Sequence, residues 1–276
     1  MTGPPTGPLI GRGRAADVYD VGDGRVLRRY RTPRSCEHEF AVMTRLHACG
    51  YPVPEVFSVD RSDLVMERLE GRTMLASLAS APWRAGRYGR LLADLHRRLG
   101  DVEVPAGLEL PVRFTACRDG ERDECVVTHL DLHPDNVMLT AAGPVVFDWS
   151  NACLAPPGTD VAMTWLLMDT SEVVAPRWQR PIAGVVRRRL LAAFLRAAGG
   201  LPGSPLVRAV VAHRLADPNV RPTERERLAD LADRVDRCRP VSTDRLRRRS
   251  RRAPGASRAA RRPTGCPPWS PRSSCS

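Results

Sequence analysis

Asp131, Asn136 and Asp148 are three oxygen-bearing side chains set five and twelve residues apart in the stretch CVVTHLDLHPDNVMLTAAGPVVFDWSNA, residues 125–152. Their types suit one chemistry. A carboxylate can orient a hydroxyl, while an amide oxygen and a second carboxylate hold Mg²⁺ against phosphates. That is the minimum set for kinase-type phosphoryl transfer. Mg²⁺ asks the protein for only a few oxygen ligands, since the substrate's phosphates supply others. The elements that must position the three are legible around them. Val126, Val127 and Thr128 read as a strand that enters a polar loop, His129 to Asn136. Val137-Met138-Leu139 leave it as a short apolar run. Ala141 to Pro144 supply a turn, and Val145-Val146-Phe147 form a second run ending on Asp148-Trp149. Two hairpin strands thus bring a loop Asp and a strand-end Asp to one edge of a small sheet.

HLDLHPDN followed by VVFDW resembles the catalytic loop and metal-binding Asp of the aminoglycoside phosphotransferase and choline kinase group, small-molecule relatives of the protein kinases. The resemblance implies Asp131 as catalytic base, Asn136 and Asp148 as Mg²⁺ ligands, and His129 as a support of the loop. His133 stands where protein kinases usually carry Lys, a usual feature of the small-molecule enzymes. Two blander readings compete. His129, Asp131, His133 and Asp135 alternate as metal-hydrolase ligands on a strand would, but Pro134 argues against a regular strand there. A purely structural polar loop is the other.

Upstream, Leu9 to Val21 reads as strand, glycine turn, strand, and Asp23-Gly24 is a two-residue hairpin signal. Glycine lets backbone N–H groups approach phosphates, because no Cβ intervenes. Gly11 and Gly13 are therefore the candidate nucleotide-covering turn, by position and by resemblance. Arg25 to Tyr30 is a third strand, on which Val26, Arg28 and Tyr30 share a face. The family places a Lys on this strand against the α- and β-phosphates. This chain has no Lys; all 43 basic residues are Arg. Arg28 takes that position, with Arg29 as second choice. A guanidinium pairs phosphate oxygens well, but is larger and forked. Ser35 to Cys49 reads as a helix capped by Ser35 and ended by Gly50, with Phe40, Met43 and Leu46 as its apolar stripe. By resemblance Glu39 pairs the third-strand cation; the bland alternative is a solvated acid at the helix N-terminus. Strands over 55–60 and 63–69 turn at Arg61-Ser62. The family implies that Met66 to Leu69, with Met66, Glu67 and Leu69 as site residues, line the adenine pocket.

Helices are expected over 73–79, 83–99, 160–168, 180–198, 204–216 and 223–238. Tyr88, Leu91, Leu92, Leu95 and Leu99 face a core, and His96 beside them is structural. Residues 100–124 are turn-rich. Ala155 to Gly158 reads as a loop that leaves no room for a protein-kinase activation loop. Asp160 caps its helix or, as the family implies, braces the catalytic loop. Asp169, Glu172, Asp217 and Asn219 are possible acceptor contacts, or loop and cap residues. Thr223 to Glu226 forms a capping box, with Leu228, Leu231 and Val235 as the apolar face behind it.

Composition sets the remaining bounds. The 276 residues suffice for one two-lobed domain. No membrane-length apolar run occurs, and the N-terminus lacks a signal-peptide pattern. Eight Cys without C-x-x-C pairs suggest free thiols in a reducing cytoplasm. Of the net charge of +12, residues 241–276 carry +9, from ten Arg and one Asp. A nucleic-acid reading would rest on that tail alone. The tail is rich in Arg, Pro and Ser without apolar periodicity, and is expected not to fold.

The expectation is an α+β, two-lobed, protein-kinase-like fold with a small antiparallel-sheet N-lobe (1–70), a mainly helical C-lobe (71–240) and the tail (241–276). The implied cofactors are ATP and Mg²⁺, with GTP not distinguished from ATP. The implied partner is a small-molecule hydroxyl acceptor, an aminoglycoside-like antibiotic or a metabolite, with no membrane and no nucleic acid. The pattern specifies no oligomeric state. A pseudokinase that binds nucleotide without turnover is the alternative, motivated by Arg28.

Overall fold

Alternating β-branched and polar residues build the first sheet. In the computed structural model, which describes residues 7–13, 15–103, 108–114, 125–171, 180–218 and 220–237, five strands form it. They are β1 (Leu9–Arg12), β2 (Ala16–Gly22), β3 (Arg25–Tyr30), β4 (Val56–Asp60) and β5 (Asp63–Glu67), antiparallel in the order β1-β2-β3-β5-β4. The β2–β3 hairpin closes on Asp23-Gly24, whose φ angles of 51° and 68° are the two positive values its turn requires. Helix α1 (Glu37–Ala48) packs on this sheet through Val42, Met43 and Leu46. Val42 thus takes the core place expected of Phe40, which is half-buried. Ser35 acts from one position outside the cap, its Oγ accepting from Glu37 N at 3.2 Å. Gly50, at φ 72°, closes the helix by donating to His47 O at 2.9 Å.

The rest is mainly helical: α2 (Met74–Ser80), α3 (Ala85–Gly100), α4 (Thr159–Thr170), α5 (Arg180–Ala197), α6 (Ser204–Leu215) and α7 (Pro222–Arg237). Thr73 caps α2 by accepting from Ala76 N at 3.1 Å. Pro82–Arg84 forms a single 3₁₀ turn, so α3 starts two residues later than its apolar spacing suggests. Tyr88, Leu92, Leu95 and Leu99 of α3 are buried as expected, with Leu91 packed beside them. Gly89 marks the α3–α5 crossing. A Cβ there would lie 2.4 Å from Leu190 O and 2.9 Å from the Ala193 Cβ, so only glycine permits this approach. Helices α4, α6 and α7 share a second core that includes Leu166, Val210, Leu228 and Leu231. The Val235 side chain, Glu172, Asn219 and the tail lie outside the described residues.

Two short sheets carry the loop rich in Asp. Strands β6 (Arg72–Thr73), β8 (Val137–Thr140) and β9 (Gly143–Val146) pair in the order β6-β8-β9, and β7 (Val126–Thr128) pairs with β10 (Cys153–Ala155). The β8–β9 turn is only Ala141-Ala142; Gly143 and Pro144 already belong to the strand, which shortens the expected turn. Strand β10 was not anticipated, because three residues are too few to show a period. Gly71 lets the chain pass β8, where a Cβ would meet Leu139 O at 2.3 Å.

The expectation of free thiols needs correction at Cys125, which is disulfide-bonded, while Cys36, Cys49 and Cys153 are free. The chain divides into a compact unit, Met1–Cys238, and a separate stretch, Arg239–Ser276. Among the described residues no helix is long and apolar enough to cross a membrane.

Candidate active site

The loop between β7 and β8 is built from local hydrogen bonds. His133 N donates to Asp131 O at 3.0 Å, and Asn136 N donates to His133 O at 2.9 Å. The Asn136 side-chain amide donates to Asp131 O at 2.9 Å and to Asp131 Oδ2 at 3.1 Å. Its amide oxygen is thereby left for another partner. His129 is fully buried. Its Nδ1 accepts from Asp131 N at 3.2 Å, so Nε2 carries the proton and donates to Phe147 O at 3.1 Å. One ring thus links the loop to the strand that leads to Asp148. His133 Nδ1 accepts from Asp135 N at 3.2 Å, and its Nε2 lies 3.4 Å from Asp131 Oδ1. Thr73 donates to Asp135 at 3.0 Å, tying the loop to α2.

Asp160, at the start of α4, does what its second reading required. Its two carboxylate oxygens accept from His129 N and Leu130 N, each at 2.7 Å. Leu130 adopts φ 60°, a left-handed conformation that a non-glycine residue holds at a cost of about 1–2 kcal/mol. The two charge-assisted bonds flank that residue and offset the cost.

Asp148 follows β9. Phe147 N donates to Asn136 O at 3.1 Å, extending the β8–β9 ladder, so Asn136 and Asp148 leave adjacent strand ends. Trp149 beside it is fully buried, bonds Val146 O at 3.0 Å through Nε1, and packs on the His129 ring at 4.5 Å between centroids.

Arg28 reaches this point from β3. One nitrogen bonds Glu39 Oε1 at 2.7 Å and another bonds Asp148 Oδ1 at 2.7 Å. Arg29, the second choice, faces the other way and pairs with Asp63. Glu39 is almost fully buried and its other oxygen accepts from Tyr30 OH at 2.8 Å. The Arg28 and Arg34 guanidinium groups lie 4.8 and 4.5 Å from the centroid of the Tyr30 ring. Burial alone would raise the Asp148 pKa, but the charge and hydrogen bond of Arg28 outweigh it and hold the carboxyl below its ordinary value. Burial likewise works against the charge of Arg28, and Glu39 and Asp148 overcome it, so its pKa is raised. Tyr30 escaped sequence reasoning. The signal was its place two residues after Arg28 on the same strand face.

The remaining predicted residues divide. Gly11 sits in β1 opposite Val18. Gly13 donates to Ala16 O at 2.8 Å, and its carbonyl accepts from Arg31 across the hairpin base. Met66 is half-buried against the core, Glu67 is exposed, and Leu69 is half-buried just beyond β5. Glu67 N and Arg68 N are committed to Glu55 O and Gly24 O, both at 2.8 Å. Asp217 pairs with Arg214 at 2.8 Å, and Arg214 also holds Glu224. Asp169 is half-buried in the last turn of α4. His96 is buried behind the loop, as a structural residue would be.

For a metal, the donor set is one amide oxygen and one carboxylate. Among the described residues no group of three His, Cys, Asp or Glu could hold an ion. Two oxygen donors fit an ion held largely by the phosphates of a nucleotide.

The Phosphotransferase enzyme family (APH) model matches residues 6–123 and 108–203, more than half of the chain. The chain belongs to this family. It is a phosphotransferase. No curated protein sequence matches the chain. Several solved structures share its protein-kinase-like fold. One is a thermostable mutant of the aminoglycoside phosphotransferase APH(4)-Ia in ternary complex with AMP-PNP and hygromycin B. It is 16% identical over 83% of this chain and 92% of that one, with a TM-score of 0.57. A Plasmodium vivax ethanolamine kinase is 10% identical over 82% and 81%, with a TM-score of 0.52. The gentamicin complex of APH(2")-IIa is 13% identical over 75% and 81%, with a TM-score of 0.51.

Proposed function

We propose that this phosphotransferase moves the γ-phosphate of ATP, in a Mg²⁺-dependent reaction, to a hydroxyl of a small molecule, an aminoglycoside-like antibiotic or a metabolite. The observation that carries the reading is the bonded set Asp131–Asn136–Phe147, which holds a loop carboxylate beside the strand end bearing Asp148. Asp131 orients the acceptor hydroxyl and takes its proton. Asn136 and Asp148 are the Mg²⁺ ligands, and the ion when bound neutralises charge on the phosphates. Arg28, held by Glu39, pairs phosphate oxygens in place of the family's Lys. Gly11 and Gly13 cover the phosphates. Met66, Glu67 and Leu69 flank the adenine. The N–H groups of Glu67 and Arg68 are already used, so a backbone donor to the base falls at Leu69 or beyond.

The bound AMP-PNP and hygromycin B of the similar APH(4)-Ia structure support a nucleotide and a hydroxylated acceptor here. The lobes are taken as 1–70 and 71–240, with 241–276 as a tail outside the reaction. A cytoplasmic setting is part of the proposal, since it supplies the nucleotide.

A second reading has its own observation. Arg28 occupies an oxygen of Asp148, as a pseudokinase could tolerate permanently. Incubating the full chain with γ-labelled ATP, Mg²⁺ and a panel of aminoglycosides and amino alcohols separates the two. Label transfer that vanishes in Asp131→Ala supports the enzyme. Nucleotide binding without transfer to any acceptor favours the pseudokinase.

A further inference from the structure

The back of the loop is fastened to α4 by more than Asp160. One helical turn after Asp160, the Thr164 hydroxyl donates to Leu132 O at 2.6 Å. Thr164 and Leu132 are both buried. Leu132 lies between Asp131 and His133, so its carbonyl fixes the peptide between the proposed base and the imidazole that faces it. Thr164 has a second neighbour, His96 of α3, whose Nε2 lies 2.8 Å from Oγ1. His96 Nδ1 lies 2.7 Å from Leu92 O, a carbonyl that can only accept, so Nδ1 carries a proton. Burial pushes the His96 pKa down, against the opposing charge of Asp160, so the ring is neutral. Its Nε2 is then an acceptor. One hydroxyl proton therefore faces two acceptors, His96 Nε2 and Leu132 O, in a place without solvent.

We infer that Thr164 is a positioning residue of the catalytic loop, its hydroxyl fixing the Leu132 carbonyl with the His96 ring as a second acceptor for the same proton. The inference rests on the loop being catalytic only for its functional meaning; the tether itself is geometric. A purely packing histidine would not need a hydroxyl at its far nitrogen. Nor would a helix threonine need a carbonyl 32 residues away, rather than the one four residues back in its own helix.

Backbone hydrogen exchange of the full chain, without nucleotide, tests this apart from any turnover. Thr164→Val keeps the shape and removes the hydroxyl. His96→Asn keeps a donor near Nδ1 but has no atom at Nε2, whereas His96→Gln reaches Thr164. Exchange at residues 129–136 should rise at least tenfold in Thr164→Val, and stay within about threefold of wild type in His96→Asn and His96→Gln, in which the hydroxyl still reaches Leu132 O. Exchange in the β2–β3 hairpin should be unchanged in all three. Loop exchange unaltered in Thr164→Val, a tenfold rise in either His96 variant, or a uniform rise throughout the chain would overturn the assignment. A turnover assay on the same proteins then separates the two readings. If wild type transfers phosphate, kcat should fall in Thr164→Val with the nucleotide KM unchanged. An inactive wild type with a hydroxyl-dependent loop would refute the enzyme and leave the tether standing.

Discussion

Arg28 and Asp148 meet at 2.7 Å across 120 residues of sequence, and the same guanidinium holds Glu39 at 2.7 Å. A forked cation can serve two carboxylates at once, which a Lys ammonium does with less directional control. The arrangement keeps the Asp148 carboxylate in its charged form. It also means that an incoming cation competes with Arg28 for Asp148. In Arg28→Lys, nucleotide turnover is therefore expected to stay within about tenfold of wild type, with half-saturation at lower Mg²⁺. Steady-state rates over a Mg²⁺ titration check this. A hundredfold gain in turnover would instead mark the native chain as a degraded enzyme.

Removing the charge altogether has a structural cost. Arg28 and Glu39 side chains are 12% and 2% exposed. Arg28→Met leaves Glu39 buried with Tyr30 as its remaining partner, and a loss of about 3 kcal/mol is expected from breaking a buried pair. Chemical denaturation measures it. A second variant, Arg28→Met with Glu39→Gln, should recover part of the loss.

Asp160 offers a sharper separation of fold from function. Asp160→Asn keeps one acceptor for the His129 and Leu130 amides and removes the charge, so a cost of about 2 kcal/mol is expected. Because Leu130 holds a left-handed φ directly before Asp131, kcat should fall more than nucleotide affinity. Equal losses in both would contradict a role centred on the loop.

Acid should weaken the protein in two steps. His96 is neutral when folded, with its pKa depressed mainly by burial. The unfolded chain therefore gains a proton first, and stability falls as pH drops below about 6.5. Asp148 is depressed by Arg28, which outweighs burial. Its contribution is present above its unfolded value near 4 and is lost as pH falls through the lower folded value. Denaturation midpoints between pH 8 and 3 should show both. His96→Gln should diminish the first step, to which His213, also depressed by burial, contributes, and Arg28→Met should diminish the second.

The parts of this molecule written in local patterns were readable from residues alone. Asp23-Gly24 dictated a hairpin, and Arg25–Tyr30 followed as a strand with Arg28 and Tyr30 on one face. The loop residues from His129 to Asn136 carried their chemistry in type and spacing. What escaped is held by partners distant in sequence. Strand β10 exists because β7, some 25 residues earlier, needs a ladder partner. The Tyr30–Glu39 bond and the His96–Thr164–Leu132 contacts join elements whose periodicities say nothing of one another. Val42 joined the core beside the expected stripe because a helix face read from three residues leaves its rotation loosely fixed. Cys125 was misjudged because spacing does not reveal a pair brought together by folding.

The central claim is a working nucleotide and metal site, and thermal unfolding of the full chain tests it most directly. Wild type and Asp148→Ala would be compared with millimolar ATP, with and without Mg²⁺. The account predicts a Mg²⁺-dependent rise in Tm for wild type, of the size that about 2–3 kcal/mol of ligand stabilisation gives, and its absence in Asp148→Ala. No shift for wild type at millimolar ATP, or an equal shift in both proteins, would contradict it.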